Sequence, residues 1–175
     1  MPETAAYIGR AAILAEELVK TLSGQGKTIA AAESCTGGLA ADYIIRVPGA
    51  SKVFWGSFVT YTVDSKIKML GVPGELIKKH GVVSSPIALA MAEGALKNSG
   101  ALTAFSVTGL AGPEGDNLNP IGTVWIGLAG KNKEGLLCSK TKHFLFQGSR
   151  NEVREAAAAA ALEVLLENIL TWNGY

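Results

Sequence analysis

Between residues 4 and 169 the apolar residues keep switching between a helical spacing and a strand-like one, and glycine or proline stands near most of the switches. That alternation constrains the chain more than any single motif, because helix stripes and strand runs can share one core in only a few layered arrangements. Ile8, Ala12, Ala15, Leu18, Val19 and Leu22 mark one face of a helix over residues 4–22. A short strand over 27–33 leads into a helix over about 38–46 that Val47-Pro48-Gly49 stops. Residues 53–61, rich in Val, Phe, Trp and Thr, read as a second strand, followed by two short helices, 64–70 and 73–80, closed by Gly71 and Gly81. Ser85 as cap, with Pro86 at the first helical position, opens a helix that reaches Asn98. Strands over 102–107, 123–129 and 136–146 come next, the last two as a hairpin. Ser149-Arg150-Asn151-Glu152 is a capping box for a final helix carried by alanines 156–161 and by Leu162, Val164, Leu165, Leu166 and Ile169.

The order α-β-α-β-α-α-α-β-β-β-α predicts an α/β fold. Its expected form is a three-layer α/β/α sandwich on a five-stranded mixed, mostly parallel sheet, with one antiparallel edge from the late hairpin. Residues 1–175 read as one domain with no internal repeat, long enough to bury about two-thirds of the unfolded chain's surface. A net charge of +1 supplies no field to gather nucleic acid or an anionic membrane, so a small molecule is the expected partner. No apolar stretch approaches the roughly 18 residues that span a bilayer, and Glu3, Arg10, Glu16 and Glu17 replace a signal-peptide pattern; the chain reads as cytoplasmic. Two cysteines and two histidines lie too far apart for a zinc site, so neither metal nor cofactor is expected, and Cys35 and Cys138 read as thiols.

Three stretches can carry chemistry, and each follows a strand, where ligands collect in an α/β sheet. Ala-Glu-Ser-Cys-Thr-Gly-Gly, residues 32–38, places a hydroxyl and a thiol before a helix. Ser34 or Thr36 serves there as a plain cap, or the turn cradles an anion with Gly37 and Gly38 admitting a ligand to the backbone. Tyr61-Thr-Val-Asp-Ser-Lys66 brings a lysine into the first turn of a helix, where the positive dipole end lowers an amine's pKa. The alternative is a solvated lysine like Lys68. His80 and His143 are poorly placed to be a base. The glycines of Thr108-Gly-Leu-Ala-Gly-Pro113 line the same crevice if the first and third strands are neighbours; otherwise they form a surface loop. Arg150 and Arg154, four apart on the last helix, grip phosphate or pair with carboxylates such as Glu155 and Glu163. The 156–161 alanines and Trp172 suit a core or a subunit interface.

Those stretches, with Gly56-Ser-Phe-Val-Thr-Tyr61, Leu70-Gly-Val72, His80-Gly-Val-Val-Ser84 and Pro120-Ile-Gly-Thr-Val-Trp125, resemble the CinA C-terminal domain family in its motif order, from about Glu16 to the last helix. The resemblance implies a stand-alone nicotinamide mononucleotide deamidase, a metal-free amidohydrolase that yields nicotinate mononucleotide and ammonia in pyridine-nucleotide recycling. It also implies a homodimer. Ser34 then matches the family's nucleophile, Lys66 its basic partner and Tyr61 the nearby tyrosine. Cys35, Thr36, Gly37 and Gly38 would join Thr108, Gly109 and Arg150 in holding substrate. The oxyanion donors are expected near residues 36–38 or 108–109. Two rivals stand beside this expectation: an amidase with Cys35 as nucleophile, and a non-catalytic nucleotide-binding or regulatory module.

Overall fold

The computed structural model describes residues 2–132 and 134–172. Its five strands form one sheet: β1 (Ile29–Glu33), β2 (Phe54–Val59), β3 (Thr103–Gly109), β4 (Thr123–Lys131) and β5 (Leu137–Leu145), in the order β2-β1-β3-β4-β5. α1 (Pro2–Ser23), α2 (Leu39–Ile45) and α6 (Arg150–Trp172) pack together on one face; α3 (Val63–Leu70), α4 (Gly74–His80) and α5 (Ser85–Ser99) lie on the other. The α/β/α sandwich and the mixed sheet are as the alternation predicted.

The balance of strand pairings is a refinement. β1 pairs in parallel with β2 and β3, whereas β4 is antiparallel to both β3 and β5, so two of the four ladders are parallel and not most of them. The reason lies in the connections. A parallel return needs a crossover helix, which α2 and then α3 to α5 supply, but residues 110–122 between β3 and β4 contain none.

Strand β1 is buried along its whole length because helices cover both of its faces. Ile29, Phe105, Val107, Val124, Ile126 and Leu128 pack toward α1 and α6, while small residues, Ala30, Ala32, Ala104 and Ala129, face α5. Large side chains fill one interface and small ones bring α5 close at the other. A Cβ at Gly127 would run into the backbone carbonyl of Ala88, which also accepts a hydrogen bond from Ser106 Oγ at 2.5 Å. Gly127→Ala should therefore cost about 2 kcal/mol through overpacking, read as a melting temperature lower by about 4–8 °C.

Several local expectations shift. The buried face of α1 runs through Ala11, Ala15, Leu18, Val19 and Leu22; Ala12 and Ile8 are exposed. Small residues at 11 and 15 let α1 lie against α6, whose residues Ala156–Ala161 are all buried in the chain's own core. That alanine run is thus core, not subunit interface. α5 starts one residue earlier than expected, with Ser84 at the N-cap position but its hydroxyl turned to the Gly81 carbonyl at 3.1 Å, while Ser85 shares a 2.8 Å hydrogen bond with Thr141. The final capping box forms as read: the Ser149 backbone N–H and hydroxyl both donate to Glu152 Oε2 at 2.7 Å. No helix among the described residues is long and apolar enough to cross a membrane.

Candidate active site

Strands β1 and β3 are neighbours in register, Glu33 opposite Val107, and this brings the Ser34 turn and the residues after β3 to one end of the sheet. A cleft of about 290 Å³ opens there, lined by Ser34, Cys35, Tyr61, Lys66, Thr108, Gly109 and Arg150 among others. Of the ten residues expected at the site, these seven meet. Thr36, Gly37 and Gly38 do not line the cleft.

Lys66 reaches the cleft through the local structure of α3. Thr62 caps that helix reciprocally with Ser65: its hydroxyl accepts from the Ser65 N–H at 3.2 Å, and its own N–H donates to Ser65 Oγ at 3.0 Å. The helix then buries Lys66 and Leu70, four residues apart, on one face. Lys66 is only 2% exposed; its Nζ lies 2.9 Å from Ser34 Oγ and donates to the Thr60 carbonyl at 2.7 Å. Among the described residues, no carboxylate forms an ion pair with it. Burial consequently lowers its pKa from 10.5 to about 8, the nearby Cys35 opposing only weakly. The cause is mainly desolvation, whereas the sequence pointed to the helix dipole.

Cys35 shares the turn but not the chemistry. It is 5% exposed, and burial pushes its thiol up to about 12 despite the backbone N–H groups beside it. A neutral buried thiol is a poor nucleophile at physiological pH. His80 and His143 are absent from the lining; the latter packs at a tilt of 42° against Trp125, ring centres 4.7 Å apart.

Glu33 is the residue that sequence reasoning missed. It is wholly buried, and its Oε2 accepts from the N–H groups of Gly38 and Ala40 at 3.0 and 3.1 Å. Its Oε1 accepts from the Ala41 N–H and the Ser57 hydroxyl, both at 3.0 Å. The N-terminus of α2, expected to hold a ligand anion, is already filled by the chain's own carboxylate. Gly37 and Gly38 adopt φ of +62° and +99°, the left-handed backbone that folds the chain back onto that carboxylate. A carboxylate ending an otherwise apolar buried strand was the available signal.

The two arginines part company as well. Arg150 stands at the cleft rim, donating to the Gly112 carbonyl at 2.5 Å and to the Tyr61 hydroxyl at 2.9 Å. Among the described residues, Arg154 pairs with no carboxylate. It donates from Nε to the Cys35 carbonyl at 3.2 Å and from Nη2 to the Thr36 carbonyl at 2.9 Å. Thr108 donates its hydroxyl proton to Val82 O at 2.9 Å. The loop after β3 is folded around Asp116, whose Oδ1 accepts from the N–H groups of Leu118 and Asn119 at 2.8 and 2.6 Å. Among the described residues, no cluster of three or more His, Cys, Asp or Glu is placed to hold a metal.

A serine and a buried amine in contact at the carboxyl end of an interior parallel strand of an α/β domain form an arrangement suited to acyl-transfer chemistry. The chain belongs to the CinA C-terminal domain family, whose model matches residues 11–169. It is 41% identical over 158 residues to the nicotinamide-nucleotide amidohydrolase PncC of Escherichia coli K12, covering 90% of this chain and 93% of that protein. It is 43% identical over 158 residues to a CinA-like protein of Dictyoglomus turgidum, covering 90% of this chain but 37% of that longer protein. It likewise spans 38% of the length of several other relatives. Among solved structures, the competence/damage inducible protein CihA from Agrobacterium tumefaciens superposes with a TM-score of 0.82 at 38% identity, covering 90% of this chain and 94% of that one. The competence damage-inducible protein A (ComA) from Klebsiella pneumoniae gives 0.86 at 32%, covering 93% and 99%.

Proposed function

We propose that this protein hydrolyses the carboxamide of nicotinamide mononucleotide to nicotinate mononucleotide and ammonia, in pyridine-nucleotide recycling, with Ser34 as nucleophile and Lys66 as its base. The observation that carries the reading is the buried contact between Lys66 Nζ and Ser34 Oγ, 2.9 Å, in a cleft of ligand size. The likeness to a nicotinamide-nucleotide amidohydrolase over nearly the whole of both chains supports the substrate.

A neutral amine has one lone pair and two N–H bonds. With one N–H given to the Thr60 carbonyl, the lone pair is free to take the proton of the Ser34 hydroxyl as its oxygen attacks the amide carbon. The tetrahedral intermediate collapses when Lys66 passes that proton to the leaving nitrogen, releasing ammonia and an ester on Ser34. Water then attacks the ester, its proton goes to Lys66, and Ser34 departs with it.

The oxyanion needs donors not already in use. Gly37 N–H bonds to Ser34 O, Gly38 and Ala40 are held by Glu33, and Leu110 N–H bonds to Thr123 O. The N–H groups of Cys35 and Thr36 meet no oxygen acceptor among the described residues, only the weakly accepting Cys35 sulfur, and of the two residues Cys35 lines the cleft. The Cys35 N–H is the donor of this mechanism. Arg150, at the rim with Tyr61, takes the 5′-phosphate. A cytoplasmic homodimer completes the proposal on the strength of the resemblance, and sedimentation equilibrium checks the oligomeric part.

The lowered pKa of Lys66 sets the expected pH dependence. At pH 7 roughly a tenth of the amine is neutral, at pH 9 about nine-tenths, so kcat/KM should rise about tenfold over that range and level off above it. Ammonia release from nicotinamide mononucleotide, followed from pH 6 to 10, checks this; a flat profile argues against Lys66 as the base. No release at any pH favours a binding module.

A further inference from the structure

The turn that presents Ser34 is held by two charged side chains, neither of which is among the residues lining the cleft. Glu33 takes up the N–H donors of the turn and of α2's first residues, and its bond to Ser57 ties the turn to β2. That strand continues into Thr60, whose N–H donates to Glu33 O at 2.8 Å and whose carbonyl holds Lys66. From α6, packed beside α2, Arg154 lies across the Cys35 and Thr36 carbonyls. We propose that Glu33 and Arg154 form a clamp that positions the nucleophile: one holds the N–H groups of Gly38, Ala40 and Ala41, the other the carbonyls of Cys35 and Thr36, and together they hold Ser34 Oγ against Lys66 Nζ.

The residue chemistry fits that task. Only a carboxylate offers acceptors on two oxygens to three convergent N–H groups and a hydroxyl without adding a donor of its own. Only a guanidinium spans two successive carbonyls with a planar fork; an ammonium is a point donor. The clamp also leaves the Cys35 N–H, assigned above to the oxyanion, without an oxygen acceptor. Displacing a reacting group by about 1 Å costs on the order of a hundredfold in rate, so a grip on the backbone matters to the chemistry and not only to the fold. This inference rests on the assignment of Ser34 as nucleophile.

The test compares Arg154→Ala, Arg154→Lys and Glu33→Gln with the natural protein, well below each variant's melting temperature. Two readouts are needed: kcat and KM for nicotinamide mononucleotide, and the rate at which a fluorophosphonate probe labels Ser34. Arg154→Ala should lower both kcat and the labelling rate by about 10- to 100-fold with KM within about threefold, and Arg154→Lys should recover part of the loss. Glu33→Gln, where it folds, should show the same split; where it does not, the Arg154 pair decides. Wild-type kcat and labelling in folded variants, with only a lower melting temperature, would overturn the clamp. So would a raised KM at unchanged kcat, which makes Arg154 a binding residue. Absence of labelling and ammonia release in the natural protein itself instead sinks the nucleophile assignment, and the clamp falls with it.

Discussion

Replacing Ser34 with alanine should abolish turnover of nicotinamide mononucleotide, lowering kcat by about 10⁴-fold or more while the substrate still binds. The hydroxyl forms the covalent ester, so its loss removes a bond of the mechanism and not a contact. Little else should change. Ser34 Oγ is the acceptor of one hydrogen bond from Lys66, which keeps its second bond to Thr60, so the variant should fold with stability within about 1 kcal/mol of the natural protein. Cys35→Ala is the matched control. A thiol held at about 12 contributes no nucleophile at pH 7, and the variant should retain kcat within a few-fold. The measurement is ammonia release, with isothermal calorimetry on Ser34→Ala to show retained binding. Undiminished turnover in Ser34→Ala would transfer the nucleophile elsewhere.

The second large effect runs in two directions at once. Lys66→Met should lower kcat by about 10³-fold or more and at the same time raise the melting temperature at pH 7. The folded protein binds the Lys66 proton more weakly than the unfolded chain does, so a drop from 10.5 to about 8 is a penalty of about 3 kcal/mol, at 1.36 kcal/mol per pKa unit. That penalty is fully present below pH 8, where both states are protonated. Between about pH 8 and 10.5 the unfolded chain holds more protons, the natural protein gains stability as pH rises, and the penalty fades. Methionine fills nearly the same volume without the charge. Against its gain stands the loss of two hydrogen bonds, to Ser34 and Thr60, at about 1 kcal/mol each, so the net is on the order of 1 kcal/mol and a few degrees. Thermal unfolding at pH 7 and pH 10 separates the terms. The advantage of Lys66→Met should be present at the lower pH and vanish or reverse at the higher. A variant less stable than the natural protein at pH 7 would mean that the lysine is not a burden on the fold.

That opposition between stability and chemistry explains why Lys66 could be noticed in the sequence but not decided there. A lysine four residues before a leucine looks the same on paper whether the helix face it shares is wet or dry. Lys68, two positions on, pairs with Asp64 at 3.0 Å in solvent, and only the packing of α3 against α5 puts Lys66 on the buried side. The two-glycine turn shows the same limit. Gly37 and Gly38 were legible as a tight turn, yet their purpose became clear only with the Glu33 carboxylate enclosed by three N–H groups.

What the sequence determined by itself was whatever depends on neighbours along the chain: which segments are helices and strands, the capping box at Ser149, the long loop after β3 and the layered α/β architecture. Hydrophobic period, caps and breakers act within a few residues, so their energies are written locally. Tertiary structure alone decided the antiparallel place of β4 beside β3, the burial of Lys66, the self-filling of the α2 N-terminus by Glu33 and the turn-holding role of Arg154. Each depends on contacts or strand placement made in space, as between Arg154 and Thr36, 118 positions apart, and on the water that those contacts exclude. Desolvation is a property of a folded volume and not of a neighbour in the chain, which is why the chemistry of Ser34 and Lys66 appears only when β1, α3 and α6 close around it.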